Sequence, residues 1–291
     1  MRSIPLGPGA AQVSIVGFGG MPLSIAGRPE EPEAIRTLHA ALEAGMTLID
    51  TADVYCLDEA DIGHNERLVA KALAAWGTGR SGVFVATKGG MTRPRGSWER
   101  DARPEHLRKA CEASLTALGV EQIDLYQLHA PDSAVPFADS VGALAELRAA
   151  GKIRWVGLSN VSVKEIDEAR AIVPIVTVQN RLNPFFREAI SEGVVRTCAH
   201  FGLGFLAYSP VGGGRLNKKL LSHPALLPIA KRHGTTPHAV AIAWVLAQGE
   251  TVIAIPGART AEHARDSVAA AGVTLTREDL AAIDRAEFSR A

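Results

Sequence analysis

The sequence predicts an α/β protein, a (β/α)8 TIM barrel with an N-terminal β-hairpin and extra C-terminal helices. Three observations predict it. Short apolar runs of strand length alternate with amphipathic runs of helix length along the chain. Eight strand runs occur, and they are nearly continuously apolar, as strands covered on both faces should be. No Pro/Ser-rich linker or shift in composition divides the 291 residues, so residues 1–291 read as a single domain. A doubly wound sheet is the alternative arrangement of the same units.

The elements follow in order. Residues 4–16, with Gly7-Pro8-Gly9 inside, read as a hairpin capping the barrel floor. The strand runs are 13–17, 47–50, 83–87, 124–128, 155–158, 176–179, 204–207 and 252–255. Residues 32–45 form a helix with Ile35, Leu38 and Leu42 turned inward. Pro104 stands where a first-turn proline would, and Gly119 where a stop would. Between them Leu107, Ala110, Cys111, Ser114, Leu115 and Leu118 mark one buried face. Pro237 opens a helix carrying Val240, Ala243, Trp244 and Leu246, and residues 260–271 form an extra helix after the eighth strand.

Composition excludes several classes. Lys plus Arg is 31 and Asp plus Glu is 31, so no basic excess supports general nucleic-acid or acidic-membrane binding. At 47% hydrophobic and 21% charged, the chain is not a disordered one. Cys56, Cys111 and Cys198 are odd in number and far apart, so neither a disulfide framework nor a metal site is expected. No apolar run reaches the length of a membrane span, and the first residues break at Pro5 and Gly7 rather than forming a secretory signal. The expectation is a reduced, cytoplasmic protein, monomeric or a small homo-oligomer.

In a parallel barrel the chemistry collects at the C-terminal ends of the strands. Those ends carry Asp50 with Tyr55 just beyond, Lys88, His129, Ser159-Asn160, Gln179-Asn180, Tyr208-Ser209 and Gly257 to Thr260. Singly, each has an ordinary reading: a turn aspartate, a packed tyrosine, a loop lysine, a satisfied histidine. On consecutive strand ends they form a chemical set. A tyrosine hydroxyl near pKa ~10 is a poor acid at neutral pH, and a neighbouring ammonium favours its phenolate. A carboxylate can hold that lysine, and a histidine can hydrogen-bond the carbonyl that the tyrosine protonates. This is apparatus for carbonyl reduction, with hydride supplied by a cofactor.

The run Gly17-Phe18-Gly19-Gly20 invites a dinucleotide-fold reading, but Pro22 stands where G-x-G-x-x-G needs its last glycine.

The segments Leu48-Ile49-Asp50-Thr51-Ala52-Asp53-Val54-Tyr55, 83–88, 124–129, 156–160, 178–180, 207–210 and 253–257 resemble, in order, those of the aldo-keto reductase family, bacterial members above all. The resemblance spans essentially the whole chain. It implies Tyr55 as general acid/base, Lys88 and Asp50 tuning it, and His129 orienting the carbonyl. It implies a nicotinamide dinucleotide lying extended across the rim. Ser159, Asn160 and Gln179 would hydrogen-bond its carboxamide, Tyr208 would stack on its ring, and Gly20 and Met21 would lie beside it. Ser209, Val211, Gly212 and Gly213 match the pyrophosphate loop. Gly257, Arg259, Thr260 and His263 match the adenosine-phosphate end, with Asp266 and Ser267 at the adenine, which points to NADPH rather than NADH.

The sequence departs from the family pattern at three places. His263 stands where many relatives carry a second cation, Asp266-Ser267 where Glu-Asn is common, and Cys56 where glycine often follows the tyrosine. The tail ends soon after Asp284, so an open substrate site is expected. Trp98 is the first choice for an aromatic substrate wall, followed by Val54 and Trp155. The expected activity is reversible reduction of aldehydes or ketones, with pyridoxal among the possible substrates. The rival expectation is an NADPH-binding regulatory subunit, as in channel-associated relatives. A metal-dependent barrel hydrolase would need several strand-end ligands, and among the strand-end histidines the sequence offers His129 alone.

Overall fold

The computed structural model describes residues 1–77 and 81–291 in full. Eight strands run parallel in chain order: β1 (Phe18–Gly19), β2 (Leu48–Asp50), β3 (Phe84–Gly89), β4 (Ile123–Leu128), β5 (Ile153–Ser159), β6 (Ile175–Arg181), β7 (Gly204–Tyr208) and β8 (Val252–Ile255). The segment leading into β1 meets β8: Gly17 N donates to Ala254 O at 2.9 Å and Ala254 N to Ile15 O at 3.0 Å. Gly19 N continues the seam to Pro256 O at 2.9 Å. This closes the sheet into a barrel and removes its edges.

Helices pack outside. Helix α1 is Glu31–Glu43, α2 His64–Trp76, α3 Pro104–Leu118, α4 Phe137–Ala149 and α5 Val163–Ile172. Helices α6 (Glu188–Ser191) and α7 (Val194–Phe201) follow β6; α8 (Gly213–Leu220), α9 (Leu226–Arg232) and α10 (Pro237–Leu246) follow β7. Helices α11 (Ala261–Ala269) and α12 (Arg277–Arg285) follow β8. The face predicted for α3 is the buried one, from Leu107 through Leu118, and Gly119 ends the helix at φ 66°. On α1 Leu38 and Leu42 are buried and Ile35 is half-buried. Thr236 and Thr260 cap α10 and α11 with their hydroxyls.

The first strand differs from its predicted run. Val13 and Ser14 belong to an antiparallel hairpin, Ser3–Pro5 with Gln12–Ser14, in which Ile4 faces Val13. The runs predicted for hairpin and barrel overlapped at these residues. The hairpin takes them because its partner strand lies just upstream, and the barrel strand begins later, at Phe18.

The hairpin plugs the floor. Leu6 and Val13 are fully buried among Leu48, Phe84, Leu125, Val176, Leu206 and Ile253. A Cβ on Gly7 would lie 2.2 Å from Val176 O, and one on Gly204 would lie 2.1 Å from Leu6 O, so only glycines let the hairpin approach this closely. Leu6→Ala should therefore lower the unfolding free energy by about 2–5 kcal/mol in urea titrations. Leu221→Ala, at a site 53% exposed, should change it by less than about 0.5 kcal/mol.

Candidate active site

Side chains alternate along a strand, so residues two apart share a face. Counting upward from the floor, Leu48 leads to Asp50, and Phe84 and Ala86 lead to Lys88. Leu125 leads to Gln127 and His129, and Leu206 leads to Tyr208. The apolar floor thus gives way to polar groups along the same inward faces. Register aligns them laterally: Lys88 pairs with Gln127, Gln127 with Gly157, and Ser159 with Gln179. A Cβ on Gly157 would lie 2.9 Å from Gln127 Cγ and 2.3 Å from Thr177 Oγ1, so the glycine makes room for the glutamine.

Lys88 sits at the centre and is fully buried. Its Nζ donates to Asp50 Oδ2 at 2.6 Å, Thr51 O at 2.9 Å and Tyr55 Oη at 2.9 Å. An ammonium has three donors and no acceptor, so every proton of Lys88 is placed. Asp50 Oδ1 accepts from Gln179 Nε2 at 2.7 Å and Gln127 Nε2 at 3.2 Å. Burial pulls the lysine down, but Asp50 and Tyr55 outweigh it and hold the ammonium above its ordinary range.

The tyrosine differs from expectation. Lys88 does favour its phenolate, but burial is the larger influence and the phenol is pushed up to about 12. Tyr55 is therefore a protonated donor at neutral pH. Because Lys88 donates to Tyr55 Oη, the hydroxyl proton must point elsewhere. His129 lies edge-on to the Tyr55 ring, with centroids 5.8 Å apart. Burial, reinforced by Lys88, holds its imidazole well below the ordinary histidine range. Its Nδ1 is buried without a hydrogen-bond partner among the described residues. An unmet buried N–H is the costlier arrangement, which assigns the proton to Nε2.

Two more buried carboxyls, Asp53 and Glu66, stand behind this set. Burial, then the Glu66 charge, pushes Asp53 well above the carboxylate range, and burial raises Glu66 as well. Both keep their protons more readily than ordinary carboxyls.

The predicted cofactor residues line the rim beside this centre. Asn160, at φ 58°, donates to His129 O at 3.0 Å and to Ser159 Oγ at 3.1 Å, and accepts from the Tyr208 hydroxyl at 2.8 Å. Gln179 reaches inward, with its amide N–H on Asp50, tying the amide group to the catalytic set. Ser209 has φ 51°, and Gly212 and Gly213 have φ 87° and 75°. No side chain caps α8, which begins at Gly213, and a Cβ on Gly214 would meet nothing within 4 Å. The first-turn N–H groups are left for an anion, and Val211 is half-buried just before them. This cradle fits the pyrophosphate of a dinucleotide.

Gly20 is pinned between Asp50 O and Asn65, whose Oδ1 would lie 2.4 Å from an added Cβ. Gly257 packs against Pro22 Cγ, which would lie 2.6 Å from its Cβ. Arg259 is exposed and donates to Pro22 O and Ala26 O, clasping the loop after β1. Thr260 accepts from His263 N, Ser267 donates to His263 O, and Asp266 accepts from Thr236 Oγ1. The adenosine-end candidates thus lie just before α11 and along it. The tail beyond α12 turns back onto α8: Arg215 donates to Arg290 O, and Arg290 Nε to Phe185 O.

Of the substrate candidates, Trp98 is 45% exposed with its ring centroid 6.4 Å from that of Tyr55. Val54 is fully buried and packs with Ala52, Tyr55, Met21 and Met91, so it shapes the wall from behind. Trp155 is a correction. It lies at the lower end of β5, packed with the floor cluster and 3.8 Å from a Cβ placed on Gly9. It lies four positions before Ser159 at the upper end, so it faces the hairpin and not the rim. The sequence reading missed Gln127, Asn65 and Met91. The alternation that runs from Leu125 to His129 could have found Gln127.

The family model of the aldo/keto reductases matches residues 15–287. A probable aldo-keto reductase 1 of Glycine max is 35% identical, covering 96% of this chain and 87% of its own. A glycerol dehydrogenase of Gluconobacter oxydans superposes with TM-score 0.84 at 32% identity, over 97% of this chain and 94% of that one. An aldo/keto reductase of Klebsiella pneumoniae, solved with NADP and acetate, gives TM-score 0.81 at 28% identity, over 98% and 95% of the two chains. This chain belongs to the aldo/keto reductase family and is an oxidoreductase of carbonyl and alcohol groups. No helix among the described residues is long and apolar enough to cross a membrane.

The His129 assignment is open to measurement. Its ¹⁵N shifts should hold neutral-imidazole values across about pH 6–8, with no midpoint near the ordinary ~6.5. A full titration in that window would contradict the burial described.

Proposed function

We propose that the protein reduces aldehydes or ketones with NADPH, reversibly, with Tyr55 as the general acid. The observation that carries this reading is the Lys88 contact. The lysine donates to Tyr55 Oη at 2.9 Å, so the phenol proton is free for a carbonyl oxygen in the cleft. His129 Nε2–H is a second donor for that oxygen, and two donors polarise the carbonyl. Asp50 holds the ammonium in place, and Gln127 and Gln179 hold Asp50. When bound, the dihydronicotinamide supplies the hydride for the carbonyl carbon.

Ser159, Asn160 and Gln179 would take the nicotinamide carboxamide, with Tyr208 against the ring and Gly20 and Met21 alongside. Ser209, Val211, Gly212 and Gly213 would hold the pyrophosphate on the α8 N-terminus. Arg259, Thr260 and His263 would take the 2′-phosphate, with Gly257 before them and Asp266 and Ser267 toward the adenine. The guanidinium at the start of α11 favours NADPH over NADH. The NADP-bound Klebsiella relative supports the same assignment.

Tyr55→Phe should lower turnover on a panel of aldehydes by at least about 100-fold while NADPH binding, followed by fluorescence, persists. A purely regulatory NADPH-binding role would instead give no turnover in the unaltered protein. The direction of pH dependence follows from the phenol at about 12. Reduction uses the protonated form and should not be limited by Tyr55 below about pH 10, whereas alcohol oxidation uses the phenolate and should rise about tenfold per pH unit from about 7 to 10. Lys88→Met removes the ammonium that favours the phenolate, so it should keep that slope but lower the oxidation rate at every pH from about 7 to 10 by at least about tenfold. An unchanged oxidation rate in that variant would sink the role given to Lys88.

A further inference from the structure

Beside Tyr55 the structure holds a buried cation that the reaction described above does not use. Arg93 is 6% exposed, on the excursion that follows β3. Its Nη2 donates to Cys56 O at 3.1 Å and to Leu57 O at 2.9 Å, the two residues after the tyrosine. Apart from the Cys56 thiol beside the guanidinium, its buried Nε and Nη1 have no hydrogen-bond partner among the described residues. No carboxylate pairs with it among the described residues. A buried guanidinium without a counter-ion is an expensive arrangement, and an incoming anion would relieve it. Cys56 does not supply it: burial pushes that thiol up to about 11 despite the neighbouring guanidinium.

The position is as informative as the missing partner. The guanidinium carbon lies 3.9 Å from the centre of the Trp98 ring. That same ring stands edge-on to Tyr55. Trp98 is a cover: half-exposed, stacked on the cation, and facing the cleft. It is carried by a short loop between Met91–Thr92 and Glu99–Arg100, outside the barrel wall. Movement of this one side chain would open the flank of the guanidinium on which it stacks.

We propose that Arg93 is the specificity-determining residue of the substrate cleft and selects carbonyl compounds that carry a carboxylate. The inference rests on the carbonyl-reductase reading and names its substrate class. The substrate carboxylate displaces Trp98 from the guanidinium and accepts from it, while the carbonyl at the other end meets Tyr55 and His129. Arg suits this role because its N–H groups match a planar carboxylate and it stays charged at any working pH.

The test compares acids with their own methyl esters, which keep the reacting group and differ in charge. The pairs are 4-carboxybenzaldehyde with methyl 4-formylbenzoate, and succinic semialdehyde with its methyl ester. The kcat/KM for NADPH oxidation is measured for each. The unaltered protein should favour the acid of a pair by roughly 10- to 100-fold, the worth of a charge-assisted contact. Arg93→Met should bring the acid-to-ester ratio close to one, and Arg93→Lys should retain part of it. Equal use of acid and ester by the unaltered protein overturns the inference while leaving the reductase reading intact, and this arm needs no variant to fold. An acid preference that survives in Arg93→Met overturns it too. Absence of turnover on every aldehyde would overturn the reductase reading and this inference with it.

Discussion

The site depends on one buried ammonium. Lys88 has no water to solvate it, so each of its three protons must find an acceptor inside the barrel. That requirement fixes its neighbours. Asp50 must present one carboxylate oxygen to it, the chain must turn after β2 so that Thr51 O points back, and Tyr55 must bring its hydroxyl over. The other Asp50 oxygen then needs donors, which Gln127 and Gln179 provide from two further strands. Four strands are thus tied to one charge, and the tyrosine proton is aimed by elimination.

The barrel makes this possible by dividing each inward face. Below, Leu48, Phe84, Leu125 and Leu206 meet the hairpin and exclude water. Above, two residues along the same faces, the polar set begins. The floor supplies the stability that a crowded polar rim lacks, and it keeps the low-dielectric surroundings that make the Lys88 contacts strong. Glycines mark the places where backbone had to come closest: Gly7 and Gly204 at the hairpin, Gly157 beside Gln127, and Gly20 under Asn65.

Much of this was legible in the sequence. The eight apolar runs, the start and stop of α3 and the strand-end positions of Asp50, Lys88 and His129 all follow from local pattern. What failed was local reasoning applied to a side chain's height in the barrel. Trp155 begins the fifth apolar run, but its strand starts two residues earlier and ends at Ser159, so it belongs to the floor. Val13 and Ser14 satisfied two patterns at once, and only pairing with Ser3–Pro5 decided between them. Tyr55 was expected to be lowered by its lysine, yet burial outweighs the lysine, and burial is a property of the assembled cleft.

The sequence by itself determined the order of elements, the faces of the helices and the identity of the chemical groups at each strand end. These rest on periods of 2 and 3.6 and on the capping and turn chemistry of single residues. Only the tertiary structure decided which groups meet. It joined Gln127 and Gln179 on Asp50 across 77 and 129 residues of chain, left Arg93 without a counter-ion among the described residues, and turned Tyr55 into a protonated donor. The physical reason is that hydrogen-bond partnership and desolvation are set by distance in space, and the closed barrel alone sets those distances.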